Sequence, residues 1–485
     1  MKNFFSQILG SIALVVTGGL LLSLEVRAQQ QAGPPPIKKE HSQKVADGLQ
    51  KLKEYTDPAT SNTPKAIELL DELLKIGEPG DSFDQAQLNL YKGNLMLPYE
   101  DARVAIPPLL KVLDITSRVD LLPAQDIKGV HKNLAIVYYV SLQMKDVTDT
   151  QKVTNIGKAI EQLESYFKLN GEPSADEAYQ YASFLFTKAT LGKEGDNIDL
   201  PTIKRAREAA QKGVLKDTRF RTDLYNLILT AHQYEKNAEA SAEIMELLLA
   251  RAPSAPENIR NWQILPHAYL GLANEMADKH DEDRANEFRY RAILAYERGR
   301  QYAGLFNGEK PGEDSTMDIL NLSKTYYDVG QVEKGAEIML EAVRAKKIKG
   351  DLGARAWGFV ATYYQQLGKD DQAIAVLKEA ASNFPQDGQF DFQLANTYYS
   401  LDQGDNAIKS IQEAARKGVT GRMPTVYLSE AYYLYSANRF KEASEAAAKG
   451  LALPNVPATV IPQLKQLKEA SDTAEAAKEA ARSKL

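Results

Sequence analysis

The sequence has no cysteine among its 485 residues. That excludes disulfides, thiolate metal sites, cysteine nucleophiles and a lipid-anchored amino-terminal cysteine. It has no excess of positive charge. Lys and Arg number 59 against 65 Asp and Glu, a net charge of -6, which argues against nucleic acid as a general partner because phosphate binding needs a basic surface. It has no stretch of sustained polar/apolar alternation bounded by turn dipeptides, so no sheet is expected. There are five histidines, His41, His131, His232, His267 and His280. None pairs at i, i+4 and none sits in an HExxH, so metal and general-base roles are not expected and no cofactor is implied. Asp278 to Asp283 is acidic but lacks the Gly and Glu of a calcium loop. Gly308-Glu-Lys-Pro-Gly lacks the ending of a phosphate loop, and no G-x-S-x-G occurs. No catalytic residue is assigned.

The amino terminus carries the one long apolar run. Lys2 precedes Ile8 to Leu24, and Val26-Arg27-Ala28 places small residues at -3 and -1. This pattern predicts a secretory signal over 1–28, cleaved after Ala28. The alternative is an uncleaved membrane anchor, for which the run is short of the roughly 20 residues a spanning helix needs. Either way the bulk of the chain is expected outside the cytoplasm, in a periplasm, soluble or peripheral to the membrane. Residues 29–40 (QQQAGPPPIKKE) form a Gln- and Pro-rich linker with nothing to bury, expected to be disordered.

From residue 41 onward the pattern is helical. The clearest unit is Ala354 to Asp387. Trp357, Val360, Ala361 and Tyr364 share one helical face, and Ala373, Leu377 and Ala380 share another. Leu367-Gly368-Lys369-Asp370 breaks the two runs and Pro385 closes the second. The unit recurs in register. Val360, Ala361 and Tyr364 become Leu394, Ala395 and Tyr398, and Ala373, Leu377 and Ala380 become Ala407, Ile411 and Ala414, all 34 residues on. About ten such pairs can be traced, regular over 316–457 and degenerate, with long loops, over 41–315. Residues 458–485 are expected to be a carboxy-terminal capping helix. Pro107-Pro108 should start or kink a helix, an insertion is expected at about Ser141 to Asn155, and Trp262 is placed just before a degenerate sixth pair. A polar loop is expected over Ala303 to Asp314. Small alanines fit where two helices cross, and no pair can bury its face alone.

These residues resemble the tetratricopeptide repeat family, whose repeat is 34 residues long. The resemblance implies an all-α, right-handed α-solenoid of antiparallel helix pairs. It also implies a concave face, lined by the first helix of each pair, that binds peptides or protein segments. The carboxylate-clamp version of the family is incomplete here, because Asn396 is present but Phe392 replaces a Lys. Tyr-Tyr pairs recur at Tyr138, Tyr326, Tyr363, Tyr398 and Tyr432. In family register one Tyr is core and its neighbour turns to the groove. That places Tyr139, Tyr327, Gln365, Tyr399 and Tyr435 at one equivalent position, with Asn396, Lys324, Thr362 and Tyr432 one turn before. An aromatic and amide ladder could hold an extended peptide; equally, the tyrosines could pack between neighbouring first helices. Residues 316–450 also resemble periplasmic repeat proteins that accompany TonB/ExbB/ExbD systems, in Asp387-Gly388, Leu394-Ala395, Tyr398, Lys417-Gly418, Tyr427-Leu428 and Arg439 to Ala443. The expected function is an exported scaffold for a protein or peptide partner. Scaffolding of envelope polymer assembly or export is the alternative, and an all-helical glycan-active enzyme is a third reading. The partner's identity and the oligomeric state are not legible.

Overall fold

A computed structural model describes residues 38–57, 61–193, 197–303, 316–348 and 351–482. The expected signal, most of the expected linker and the polar loop expected after Ala303 lie outside them. Twenty-one α-helices, and no strand among the described residues, account for the regular structure. They run as α1 (Gln43–Thr56), α2 (Thr63–Ile76), α3 (Phe83–Met96), α4 (Ile106–Thr116), α5 (Ala124–Val140), α6 (Asp149–Asn170), α7 (Ala175–Thr190), α8 (Leu200–Val214), α9 (Thr222–Tyr234) and α10 (Ala238–Arg251). Then follow α11 (Ile259–Asp278), α12 (Glu282–Ala303), α13 (Thr316–Asp328), α14 (Val332–Arg344), α15 (Asp351–Gln366), α16 (Asp370–Asn383), α17 (Gln389–Ser400), α18 (Gly404–Lys417), α19 (Met423–Ser436), α20 (Phe440–Leu451) and α21 (Ile461–Arg482). These are ten consecutive pairs and a terminal helix, an all-α solenoid architecture. The chain divides into two compact units, 1–244 and 245–485, with the division inside α10.

In the second unit one continuous core runs from Ile293 to Leu464. Its members are the positions with helical spacing. Trp357, Val360, Ala361 and Tyr364 are buried from α15, and Ala373, Leu377 and Ala380 from α16. From α11 to α21 each helix packs on the next, and α21 also touches α19. Sharing faces in this way buries apolar area that no pair could bury alone. The turn inside each of the last four pairs is built the same way, and the turns at Lys236 and His280, with φ 55° and 60°, repeat it. Gly330, Gly368, Asp402 and Asn438 all have positive φ, at 83°, 67°, 58° and 58°. The next residue's N–H returns to the core carbonyl: Gln331 to Tyr326, Lys369 to Tyr364, Gln403 to Tyr398 and Arg439 to Leu434. Gly, Asp and Asn are the types that tolerate this left-handed stop.

In the first unit α3 to α9 enclose a core that includes Leu109, Val112, Leu134, Tyr138, Leu163, Phe184 and Ala206. Pro107 and Pro108 lie in the first turn of α4, so they start that helix, where the missing N–H costs nothing. Two sequence expectations need correction. The insertion expected at Ser141 to Asn155 is shorter, because Thr148 and Gln151 form a capping box that starts α6 at Asp149. Trp262 does not precede the sixth pair. It lies within α11, whose helix continues through Pro266. The Trp262 indole N–H donates to the Pro253 carbonyl at 2.7 Å, fixing the entry to that helix.

Candidate functional site: the first-helix face of the second unit

The expected ladder residues occupy three distinct environments. Tyr327, Tyr399 and Tyr139 are half-buried stacking residues. Tyr327 stacks on Tyr363 with ring centroids 4.9 Å apart and 19° between planes. Tyr399 stacks on Tyr433 at 4.2 Å and 17°. In the first unit Tyr139 stacks on Phe184 at 4.2 Å and 16°. Each contact joins the first helix of one pair to that of the next. Each hydroxyl then reaches three residues beyond the ring it stacks on. Tyr327 accepts from Gln366 Nε2 at 2.9 Å, Tyr399 meets Ser436 Oγ at 3.1 Å, and Tyr139 meets Thr187 Oγ1 at 3.4 Å. Residues three apart share a helix face, so stack and hydroxyl together clasp two neighbouring repeats. Tyr435 is also half-buried, but its ring lies edge-on to Phe440, 5.3 Å away in the following helix.

Gln365, Asn396 and Tyr432 are exposed. Tyr432 keeps 49% of its surface open, with its edge toward Tyr399 at 5.6 Å and 62°. Asn396 Oδ1 accepts from the Tyr433 hydroxyl at 2.5 Å. Gln365 Nε2 donates to Thr397 Oγ1 at 2.8 Å. This last bond falls where a stacked ring pair would be expected from the clasps on either side. Gln365 stands in the register of Tyr327 and Tyr399, and Thr397 in that of Tyr363 and Tyr433. Two rings are thus replaced by an amide and a hydroxyl, and the space left forms a cavity of about 440 Å³ between α15, α16 and α17. Its walls include Gly358, Thr362, Gln365, Asp370, Gln393 and Asn396. The Gln393 amide oxygen is buried there without a hydrogen-bond partner. Phe359, 49% exposed, lies one turn before Thr362. Gln393 and Asp370 were not legible as site residues. The signal available was the double departure from Tyr at Gln365 and Thr397.

Burial sets the ionisation of the phenols. It raises Tyr363 above the usual range and pushes Tyr433 up to about 12, with Tyr399 adding to the shift, so these rings stay neutral hydroxyl donors at ordinary pH. Of the residues that suggested the TonB-associated proteins, Asp387, Gly388, Lys417 and Gly418 serve the joint at the start of α17 and the end of α18. Gly388 N–H donates to the Gly418 carbonyl at 2.9 Å. Lys417 pairs with the largely buried Asp391 at 2.8 Å. Asp387 accepts from the Gln389 N–H at 2.9 Å. Packing accounts for their residue types.

Of the histidines, His41 bonds Asp84 at 2.7 Å, His131 bonds Gln162 at 2.8 Å and His267 bonds Asp318 at 2.8 Å. Among the described residues no group of three His, Asp or Glu is placed to hold a metal, and no helix is long and apolar enough to cross a membrane.

The helix pairs, their recurring turn and the 34-residue register between the eighth and ninth pairs resemble those of tetratricopeptide repeats. The chain resembles that superfamily at the level of fold. No family model matches the chain, and no curated protein does. Similar solved structures include the yeast Sti1 TPR2AB-domain:pHSP90 complex, at 12% identity over 61% of this chain and 98% of that one, with a TM-score of 0.23. Pseudomonas aeruginosa pilF is similar at 13% over 54% of this chain and 99% of that one, TM-score 0.27. The APC/C hetero-tetramer Cut9-Hcn1 is similar at 13% over 88% and 77%, TM-score 0.26. The fold reading rests on the helix pairs themselves.

Proposed function

We propose that this chain is an exported protein–protein scaffold that captures an extended peptide or protein segment along the first-helix face of residues 316–451. One observation carries the reading. Along the clasped helices that face presents Phe359, Thr362, Gln365, Asn396 and Tyr432, two exposed aromatics flanking a hydroxyl and two side-chain amides. Aromatics supply contact area at low entropic cost, and amides satisfy a peptide backbone. Tyr327 and Tyr399 serve this face as clasps that hold repeat spacing, as Tyr139 does within the first unit, whereas Tyr432 and Asn396 are its open contacts; Tyr435 packs on Phe440 of the next helix. The task is binding, not catalysis. Export is supported by the signal pattern of residues 1–28, and a place beside a TonB-type system by the resemblance of residues 316–450.

A photoreactive residue at Tyr432, in intact cells, should crosslink a partner, whereas one at Glu445 on the second-helix side should not. Energy-transduction subunits among the adducts would support the TonB placement, and polymer-export machinery would replace it. Equal crosslinking from both positions would refute the face assignment. A chain recovered with Met1 in the cytoplasmic fraction would refute export.

A further inference from the structure

The cavity between α15, α16 and α17 is an acceptor site. Each hydroxyl on its wall spends its proton on a backbone carbonyl. Thr362 donates to Gly358 at 3.0 Å, Thr397 to Gln393 at 2.9 Å and Ser400 to Thr397 at 2.8 Å. What these three present to the cavity is therefore oxygen lone pairs. The Gln365 amide N–H is directed to Thr397. The Gln393 amide oxygen is buried and unpartnered, a state that normally costs stability unless a ligand or water relieves it. Asp370, on the wall at the start of α16, forms no ion pair among the described residues. The Asn396 and Gln393 amide nitrogens add N–H donors to the wall, but acceptor oxygens of Thr362, Ser400, Gln365 and Gln393 and the Asp370 carboxylate outnumber them, a lining that favours a cationic group that is all donor. Guanidinium carries five N–H donors and ammonium three, neither with an acceptor, and both are cationic.

From this we infer that the cavity is a specificity pocket for a basic side chain, Arg best, of the captured segment. The inference rests on the peptide-groove reading and names the chemistry of its anchor residue. Its sense is opposite to that of a pocket for a carboxylate, which would need a cluster of Lys, Arg or Asn donors. The planar guanidinium fork spans several acceptors at once, so Arg should exceed Lys. The clasps Tyr327/Tyr363 and Tyr399/Tyr433 bound the pocket on either side along the array and keep its width fixed.

The test uses the full chain and a set of fluorescent dodecapeptides of one uncharged host sequence, with Arg, Lys, citrulline or Glu at the centre. Citrulline keeps the shape of Arg and loses the charge. At fixed ionic strength the Arg peptide should bind about tenfold tighter than the citrulline one, with Glu weakest. Gln393→Leu and Asp370→Asn should remove that preference, and Thr362→Val should reduce it. Tyr432→Ala should weaken every peptide alike. A parallel titration with agmatine, a free guanidinium, reads the pocket without the groove. If peptides bind with no preference for Arg, and agmatine binds wild type and Gln393→Leu equally, the pocket is refuted while the groove stands. If no peptide binds but agmatine binds wild type and not Gln393→Leu, the groove reading fails and the pocket stands. If neither ligand binds, both are overturned.

Discussion

Replacing Tyr399 with alanine separates the two roles a tyrosine can have on this face. The Tyr399 ring lies flat on Tyr433 at 4.2 Å and its hydroxyl meets Ser436 at 3.1 Å. A tyrosine buries about 200 Å² when covered. With half of that covered, about 100 Å² of apolar surface at ~25 cal/mol/Å² gives ~2.5 kcal/mol. Residual burial in the unfolded chain lowers this to ~2 kcal/mol, and the aromatic stack adds ~1 kcal/mol. The exposed hydroxyl contact adds little. The expected loss is therefore ~3 kcal/mol for Tyr399→Ala. Tyr432, half exposed and touching its neighbours only at ring edges, lacks the flat stack and should cost ~2 kcal/mol on the same terms, about 1 kcal/mol less than Tyr399. Urea denaturation followed by circular dichroism measures both. A double-mutant cycle between Tyr399→Ala and Tyr433→Ala should return a coupling of ~1 kcal/mol, because the stack is lost once and not twice. Binding should divide the other way: Tyr432→Ala should weaken partner capture more than it weakens the fold. A Tyr399→Ala loss under ~1 kcal/mol, or a coupling near zero, would refute the clasp.

Two glycine-to-alanine changes should have opposite signs. At Gly388 a Cβ would stand 2.5 Å from the Ala414 carbonyl oxygen and 2.9 Å from that of Gly418; both are backbone, so Gly388→Ala should destabilise by ~1–3 kcal/mol. At Gly358 the nearest atom is Gln393 Nε2 at 3.5 Å, an ordinary contact, so Gly358→Ala should stabilise helix α15 by up to ~1 kcal/mol while narrowing the cavity and weakening Arg-peptide binding. Thermal melts of the two variants check the signs. The His267–Asp318 bond joins α11 to α13, and that bond raises the His267 pKa above its usual value although burial opposes it. A raised folded-state pKa gives a contribution fully present below about pH 6.5 and lost as pH rises through the folded value. Stability should therefore fall from pH 6 toward pH 8, and His267→Gln should flatten that slope in urea titrations. A slope unchanged by the substitution would assign it to another group.

What was legible in the sequence follows from which forces leave a periodic trace. Burial does: Val360, Ala361, Tyr364 and Leu377 are core because spacing of three and four is geometry. Caps do less well. Thr148 and Gln151 form a capping box inside a stretch whose polarity reads as a loop, and Pro266 sits in a helix that its presence argues against. The site was half legible. Register alone aligns Tyr327, Gln365, Tyr399 and Tyr435, but it cannot tell whether a ring meets solvent or the next helix. That is decided by the partner one repeat on, Tyr363, Thr397 or Tyr433, and a contact between repeats leaves no period within one. Once the partner column is set beside the first, the odd junction stands out. Tyr meets Tyr at two junctions, and Gln365 meets Thr397 at the one between them. A stacked pair fills its junction and closes it. An amide bonded to a hydroxyl that itself donates to the Gln393 carbonyl leaves a cavity whose lining is mostly acceptor. The position that breaks the pattern is for that reason the one that can take a ligand.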